Sequence, residues 1–322
     1  MTRASPRTRH LVQAGTWLIA TFVLVVLVRG VDVSRVWAVS QDVRGGWLAL
    51  AVASNLLVLP LWAQQWRALM PPSSPVAPRR MLSIVAQLSF FANTVPVSGP
   101  VSAVVMLSRE PGVTSAAALS GLALEQVTEG VVKLSILVVT AQLLPLPDWM
   151  HRAVFGLAAA VALLTIAIVA AALHHERINA IVGQREIRSP LDRFLALVAR
   201  WSRDLESLRR PSRFALALLC CTGSKGVEAL AMVAVQHAFG LTLPLSTTML
   251  AFGAMILGTI APVSPANLGI YEGAVVAAYR HSGIPPELAL AVAVVQHACL
   301  LLGTAAVGYV VFSVNRLAGV RA

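Results

Sequence analysis

Two stretches decide how this chain is read: Thr94-Val95-Pro96-Val97-Ser98-Gly99-Pro100 and Ile260-Ala261-Pro262-Val263-Ser264-Pro265-Ala266-Asn267-Leu268-Gly269. The same Pro-Val-Ser sits at 96–98 and at 262–264, each time between two short apolar runs. Proline lacks the backbone N–H and clashes with the preceding turn, so it ends or breaks a helix. A break in the middle of an apolar segment, in corresponding places of two halves, points to a transporter's binding region.

The surroundings of those breaks are membrane-like. The chain is 57% hydrophobic and 12% charged, where a soluble domain carries about 25% charged residues. Mean hydropathy is +0.76. These values place the chain among integral membrane proteins and leave no room for a separate soluble catalytic domain. The formal net charge of +11 reads as loop arginines obeying the positive-inside rule, with anionic lipid headgroups as their natural partners. Nucleic-acid binding is not expected, because no basic stretch carries interleaved aromatics for base stacking. Cys220, Cys221 and Cys299 lie in apolar segments without metal-ligand spacing, and read as packing residues. No cofactor or metal is expected.

Apolar runs of spanning length occur at about 11–28, 46–69, 114–142, 152–173, 212–239 and 285–312. Arg3, Arg7 and Arg9 precede the first run. It resembles a signal peptide but is long enough to span, so an uncleaved helix is expected; Ala38-Val39-Ser40 is the one cleavage-like site. Two further apolar stretches, 81–108 and 247–280, contain the Pro-Val-Ser breaks. Each can form two half-helices that dip in and return, provided the freed backbone is buried in protein or lines a wet cavity.

Loop charge orients these segments. The N-terminus, 67–80, 174–213 and the C-terminal tail are basic, and 174–213 holds nine arginines against five acids. The segments 143–151 and 240–246 carry no arginine or lysine. The assignments agree if 81–108 is a re-entrant hairpin from the cytoplasm and 247–280 enters from the other side. The expected fold is an all-α integral membrane protein with an inverted repeat. Residues 11–142 and 152–312 each supply three spans and one re-entrant hairpin, with 174–211 as an amphipathic helix on the cytoplasmic surface. The expected location is a bacterial inner membrane, with both termini cytoplasmic.

The chain has only two lysines, Lys133 and Lys225, and both fall within spans. Glu125, Glu129 and Lys133 follow at four-residue steps and share one helix face. Lys225 lies three residues before Glu228. A charge at the bilayer centre costs about 2.5–3.5 kcal/mol even on the milder scale, so such groups turn inward and pair. They either line a polar cavity for a headgroup or form structural pairs, Glu129 with Lys133 and Glu228 with Lys225. Glu125 and Glu272 have no obvious local cation and favour the cavity.

The hairpin tips add a second feature. Ser98 and Ser264 are placed to cap a second half-helix, and Pro265 suits a first helical position. A helix N-terminus at mid-membrane is an anion site, and Gly99 and Gly269 allow close approach; the alternative is that these residues only shape the loop. Gln236-His237 and Gln296-His297 read as helix-packing polar residues more than as proton relays. No His-Glu-x-x-His, Gly-x-Ser-x-Gly, phosphate-binding loop or Asp-rich diphosphate motif is present, so enzymatic function is not expected.

In order and spacing, these motifs resemble the flippase-like, lysylphosphatidylglycerol synthase transmembrane-domain family, which includes the membrane half of the multiple peptide resistance proteins. The first matching block runs from Pro96 to Gly99 through Leu107-Ser108-Arg109 and Gly112-Val113-Thr114 to Glu125, with Glu129 one turn on. The second is Pro262-Val263-Ser264-Pro265, Asn267-Leu268-Gly269 and Glu272. Three departures stand out: Asn267 replaces a usual Gly, Gln126 stands where the family often has Arg, and no acid follows the first break. The soluble aminoacyl-transfer domain of two-part members is not within these residues, so lipid aminoacylation is not carried over. The resemblance implies lipid handling.

The leading expectation is therefore a flippase or transporter moving a polar-headed lipid, anionic or isoprenoid-type, between leaflets. The expected substrate-binding residues are Glu125, Glu129, Lys133, Lys225, Glu228, Glu272, Ser98, Gly99, Ser264, Asn267 and Gly269. Two other readings stand beside it: a non-transporting accessory subunit of a membrane glycosyltransferase or lipid-modifying pathway, and a small-solute secondary transporter. Membrane lipids are the expected partners, with a homodimer or a partner enzyme as the protein partners considered.

Overall fold

The computed structural model describes Ser34, Val36 and residues 41–94, 98–173, 211–260 and 264–317. The first expected span, most of the 174–211 segment, and the Pro96 and Pro262 pivots lie outside the described residues. Every regular element among the described residues is helical: α1 (Gly45–Leu56), α2 (Val58–Leu69), α3 (Pro78–Thr94), α4 (Ser98–Leu107), α5 (Ser115–Leu143), α6 (Asp148–Leu173), α7 (Pro211–Ala238), α8 (Leu245–Gly258), a 3-10 turn at Pro265–Asn267, α9 (Ile270–His281), α10 (Pro286–Gly303) and α11 (Ala305–Leu317).

Among the described residues, four stretches are long and apolar enough to cross a bilayer: Gly45–Leu69, Asp148–Ala167, Pro211–Ala238 and Pro286–Leu317. Two of them pause midway. The α1–α2 pause at Leu57 follows from Pro60, which cannot donate to the carbonyl of Leu56. At Thr304, between α10 and α11, the side-chain hydroxyl bonds back to the Leu300 carbonyl at 2.7 Å, a bond that bends helices. The last span runs on to Leu317, five residues beyond the apolar run. Helix α5 has 29 residues but carries Glu125, Glu129 and Lys133, and it is not among the four apolar spans. Its start is well specified: Gly112 turns with φ +77°, and Thr114 caps by accepting from the Ala117 N–H at 3.0 Å.

Both interrupted stretches fold as helical hairpins. Helices α3 and α4 pack together. Arg80 at the start of α3 pairs with Glu110 just past α4 at 2.7 Å, while at the other end the Ser98 hydroxyl donates to the Phe91 carbonyl at 2.7 Å. Helices α8 and α9 also pack together. Gln236 of α7 bonds both Thr248 near the start of α8 and Tyr279 near the end of α9, each at 2.9 Å, so these two run antiparallel. Helix α4 has only 10 residues and spans about 15 Å, half of a hydrocarbon core.

The apolar packing divides accordingly. One cluster surrounds the second hairpin with Leu250, Phe252, Tyr271, Tyr279 and Val292, and another surrounds the first with Trp66, Met81, Ile84, Leu88 and Leu107. Helix α7 crosses between them, packed on α1 and α2. Each hairpin rests on an element far from it in sequence: α8 against α5, and α3 against α11. At the second contact, a methyl group on Gly308 would run into the backbone carbonyl of Ala86, the close approach that small residues allow between membrane helices.

Candidate functional site

Three polar cavities share lining residues on α5 and on neighbouring helices. The central one, about 300 Å³, is walled by Asn93, Gly99, Glu129, Lys133, Lys225, Glu228, Thr259, Asn267, Tyr271 and His297, among others. It sits at the lower end of the roughly 300–1,000 Å³ range of small-molecule pockets. A second, about 180 Å³, shares Asn93, Glu129, Lys225 and Glu228 and adds Trp62, Gln65 and Glu125. A third, about 130 Å³, shares Gly99 and Glu129. Arms of both hairpins therefore face one space.

The charged residues form a chain across two helices. On α5, Lys133 Nζ lies 2.8 Å from Glu129 Oε1. On α7, Lys225 Nζ lies 2.9 Å from both Glu228 carboxylate oxygens. Lys225 also reaches Glu129 Oε1 at 4.0 Å, which joins the two pairs into a quartet. The side chains keep 12–27% exposure, so they are half-buried and open to the cavity.

Glu125, one turn before Glu129, has a different setting. It is buried, and its two oxygens accept from the Trp62 indole N–H at 3.0 Å and the Gln126 amide at 2.6 Å. Beneath it, Gln65 donates to Thr128 at 2.9 Å. Neutral donors, rather than a cation, hold this carboxylate.

Glu272 has a partner that local spacing does not reveal. Its Oε1 is 2.7 Å from His297 Nδ1, and its Oε2 accepts from the Gly269 N–H at 2.6 Å. The His297 ring stacks on Tyr271 with centroids 4.1 Å apart. Tyr271 accepts from Gln296 at 2.9 Å. Of the two Gln-His pairs, the second is thus tied to the tip. In the first, Gln236 is buried in the α7–α8–α9 network, and His237 packs on Trp47 at 4.9 Å.

The second tip corrects the expected cap. Ser264 leads into the 3-10 turn, not into α9, and its hydroxyl donates to the Leu268 carbonyl at 2.9 Å. Ala266 and Asn267 both take left-handed φ values, +51° and +54°, and Gly269, at φ +83°, is the N-cap of α9. The Glu272 carboxylate already fills that helix terminus, so the terminus is not a free anion site. At the first tip, the Ser98 hydroxyl donates to the Phe91 carbonyl of α3.

Of the residues expected at the site, Glu129, Lys133, Lys225, Glu228, Gly99 and Asn267 line the central cavity, and Glu125 lines the two beside it. Ser98, Ser264, Gly269 and Glu272 hold the tips behind it. Trp62, Gln65, Asn93, Tyr271 and His297 line these cavities without having been expected. Gln65 and Asn93 carried a signal as polar side chains inside apolar runs; Trp62 and Tyr271 carried none. Among the described residues, no group of three His, Cys, Asp or Glu side chains is placed to hold a metal.

An apolar groove lies beside the central cavity. It shares Asn93 and Ala266 with that cavity and is lined by Phe90, Leu301, Leu302, Ala305 and Tyr309. Leu302 and Tyr309 are each 56% exposed, so the groove reaches the outer surface between α3 and α10–α11.

The sequence model of the family described as Lysylphosphatidylglycerol synthase TM region matches residues 13–308. The chain belongs to this family. The matched region holds both hairpins, the quartet and the groove's lining except Tyr309, and family membership together with the apolar helices makes the chain a membrane protein. Comparison with curated proteins and with solved structures returned no match.

Proposed function

We propose that the protein moves a polar-headed lipid between leaflets, with the headgroup in the central cavity and the tail in the groove between α3 and α10–α11. The observation that carries this reading is that a charged cavity and an exposed apolar groove lie side by side and share Asn93 and Ala266 in their walls. A lipid needs both environments at once. A small solute needs a closed, polar cavity with no apolar exit.

The quartet supports a binding role over a purely structural one. Each charge placed in a membrane costs about 2.5–3.5 kcal/mol, and a buried ion pair can often be replaced by apolar side chains without loss of stability. Helix cohesion alone therefore gives no reason to keep four such groups around an open cavity.

Transport in this reading is a rocking of two inverted halves. Support comes from the exchange of braces: α5, of the first half, packs on the second hairpin, while α11, of the second half, packs on the first. The hairpins then enter from opposite sides of a bacterial inner membrane, with both termini cytoplasmic and the tips meeting at the midplane.

The test is leaflet exchange of acyl-labelled phospholipids in vesicles containing the purified protein, read by quenching of the outer leaflet. Exchange faster than in protein-free vesicles is expected, and Glu129→Gln with Lys225→Met should slow it at least about tenfold by removing two charged contacts. Exchange no faster than in protein-free vesicles contradicts transport; if a lipid-modifying enzyme then co-purifies, the accessory-subunit reading takes its place.

A further inference from the structure

We infer that transport is coupled to protons, and that Glu125 is the side chain that carries the proton. The inference rests on the lipid-transport reading above and adds what drives it. Glu125 is the buried acid to which that reading gives no task. The headgroup cavity is walled by Glu129, Lys133, Lys225 and Glu228, whereas Glu125 lines the two cavities beside it.

The charge balance singles this residue out. Glu129, Glu228, Lys133 and Lys225 pair among themselves, and their charges cancel. Glu125 forms no ion pair among the described residues; its oxygens accept from Trp62 and Gln126, both uncharged. The titratable groups around it are Glu129 and Lys133 on α5 itself and Cys221, Lys225 and Glu228 on α7. From α2, α3, α4 and α10, the walls it shares contain no titratable side chain. As a carboxylate, Glu125 leaves these carboxylates and ammonium groups one negative charge in excess; as a neutral acid it leaves them balanced. A buried charge without a counter-ion is costly, so one proton decides whether the whole set is in balance. Glu272, the other buried acid, instead has His297 as a partner able to take a charge.

The hydrogen bonds suit both forms. A carboxylate accepts from the Trp62 indole at 3.0 Å and from the Gln126 amide at 2.6 Å. A carboxylic acid must also donate once. The indole cannot accept, but the amide can, by turning over to present its oxygen. Trp62 thus holds one oxygen in either form while Gln126 follows the other.

Position links the proton to the headgroup. Glu125 and Glu129 are one helical turn apart, about 6 Å along the axis, and both line the cavities of about 180 and 130 Å³. The larger has room for several waters, through which a proton reaches Glu125. A charged Glu125 repels Glu129 and competes for the two lysines, which loosens the quartet for an incoming headgroup. A neutral Glu125 leaves the quartet closed on itself. Each cycle forms one O–H bond at Glu125 on one side of the membrane and breaks it on the other, with no other chemical change.

The experiment places the full chain in vesicles of phosphatidylethanolamine and phosphatidylglycerol, with a trace of each acyl-labelled and a pH-sensitive dye inside. Initial rates of label movement are compared with a pH difference of about one unit in either sense and with equal pH on both sides at each end of that range. One sense of the gradient should speed outward movement and the other slow it, by up to about tenfold for one proton per lipid, and the dye should record protons moving with the lipid. Glu125→Gln should make the rate independent of the sense of the gradient, and Glu125→Asp, which keeps an acid, should restore the dependence. If Glu125→Gln does not fold, Gln126→Leu gives the second readout: the acid form loses its acceptor, and the gradient dependence should shrink. Label movement indifferent to the sense of the gradient in the unaltered protein overturns proton coupling and leaves lipid transport standing. A full gradient dependence in Glu125→Gln overturns the assignment to Glu125. No exchange of either lipid under any condition overturns the transport reading itself.

Discussion

The two hairpins share a Pro-Val-Ser signature, and each is braced by a distant helix, but their tips are fastened differently. The second is secured from within its tip, where Glu272 closes on Gly269 and His297. At the first tip the Thr94 and Ser98 hydroxyls donate to the Phe90 and Phe91 carbonyls, and that hairpin is also secured from outside. There α11 presses on α3 at Gly308 and Ala86, and Phe90, Phe91, Tyr309 and Phe312 cluster with centroids 5.4–5.8 Å apart. The difference teaches that a repeated break specifies a hairpin without specifying how it is fastened. Both hairpins line the central cavity, and both also reach the groove, the first through Phe90, Asn93 and Thr94 and the second through Ala266.

The largest expected effect that could break this contrast is at Glu272. Glu272→Ala strips two buried groups of their partner, at about 1–3 kcal/mol each, and should lower the melting temperature in detergent by roughly 5–15 °C. A drop as small as that of a surface substitution would remove the claim that the second tip fastens itself. Next comes Gly308→Ala, which forces α11 off the Ala86 carbonyl and should cost about 1–3 kcal/mol of overpacking, measured in the same melt. Ser98→Ala should cost only about 1 kcal/mol, or roughly 2–4 °C; an effect matching Glu272→Ala would make the two tips alike. The smallest effect belongs to Gly253→Ala on α8, where the nearest atoms are the flexible ends of Leu137 at 3.1 Å and Met150 at 3.4 Å. These can yield, so the shift should stay within roughly 2 °C.

How much of this was legible in the sequence depends on distance along the chain. The apolar runs matched four bilayer-length helical stretches and the breaks fell between paired helices, because hydrophobic length and proline act locally. The pairs Glu129–Lys133 and Lys225–Glu228 were legible because helix geometry sets contacts three and four residues apart. The Lys225–Glu129, Trp62–Glu125 and Glu272–His297 contacts were not, since each needs two helices to be packed first. The tip of the second hairpin was misread for a different reason. Serine before proline is a sound helix-start signal, but two left-handed residues, one of them an alanine, insert a 3-10 turn before α9. Nothing in the residue type Ala266 announces a positive φ.

The central claim is that one molecule occupies the charged cavity and the apolar groove together. A density map of the protein in nanodiscs containing phosphatidylethanolamine tests it most directly. The account predicts headgroup density among Glu129, Lys225 and Glu228, continuous past Asn93 and Ala266 with a tail lying between α3 and α10–α11. Lipid density confined to the outer surface, with no headgroup in the cavity, would contradict it.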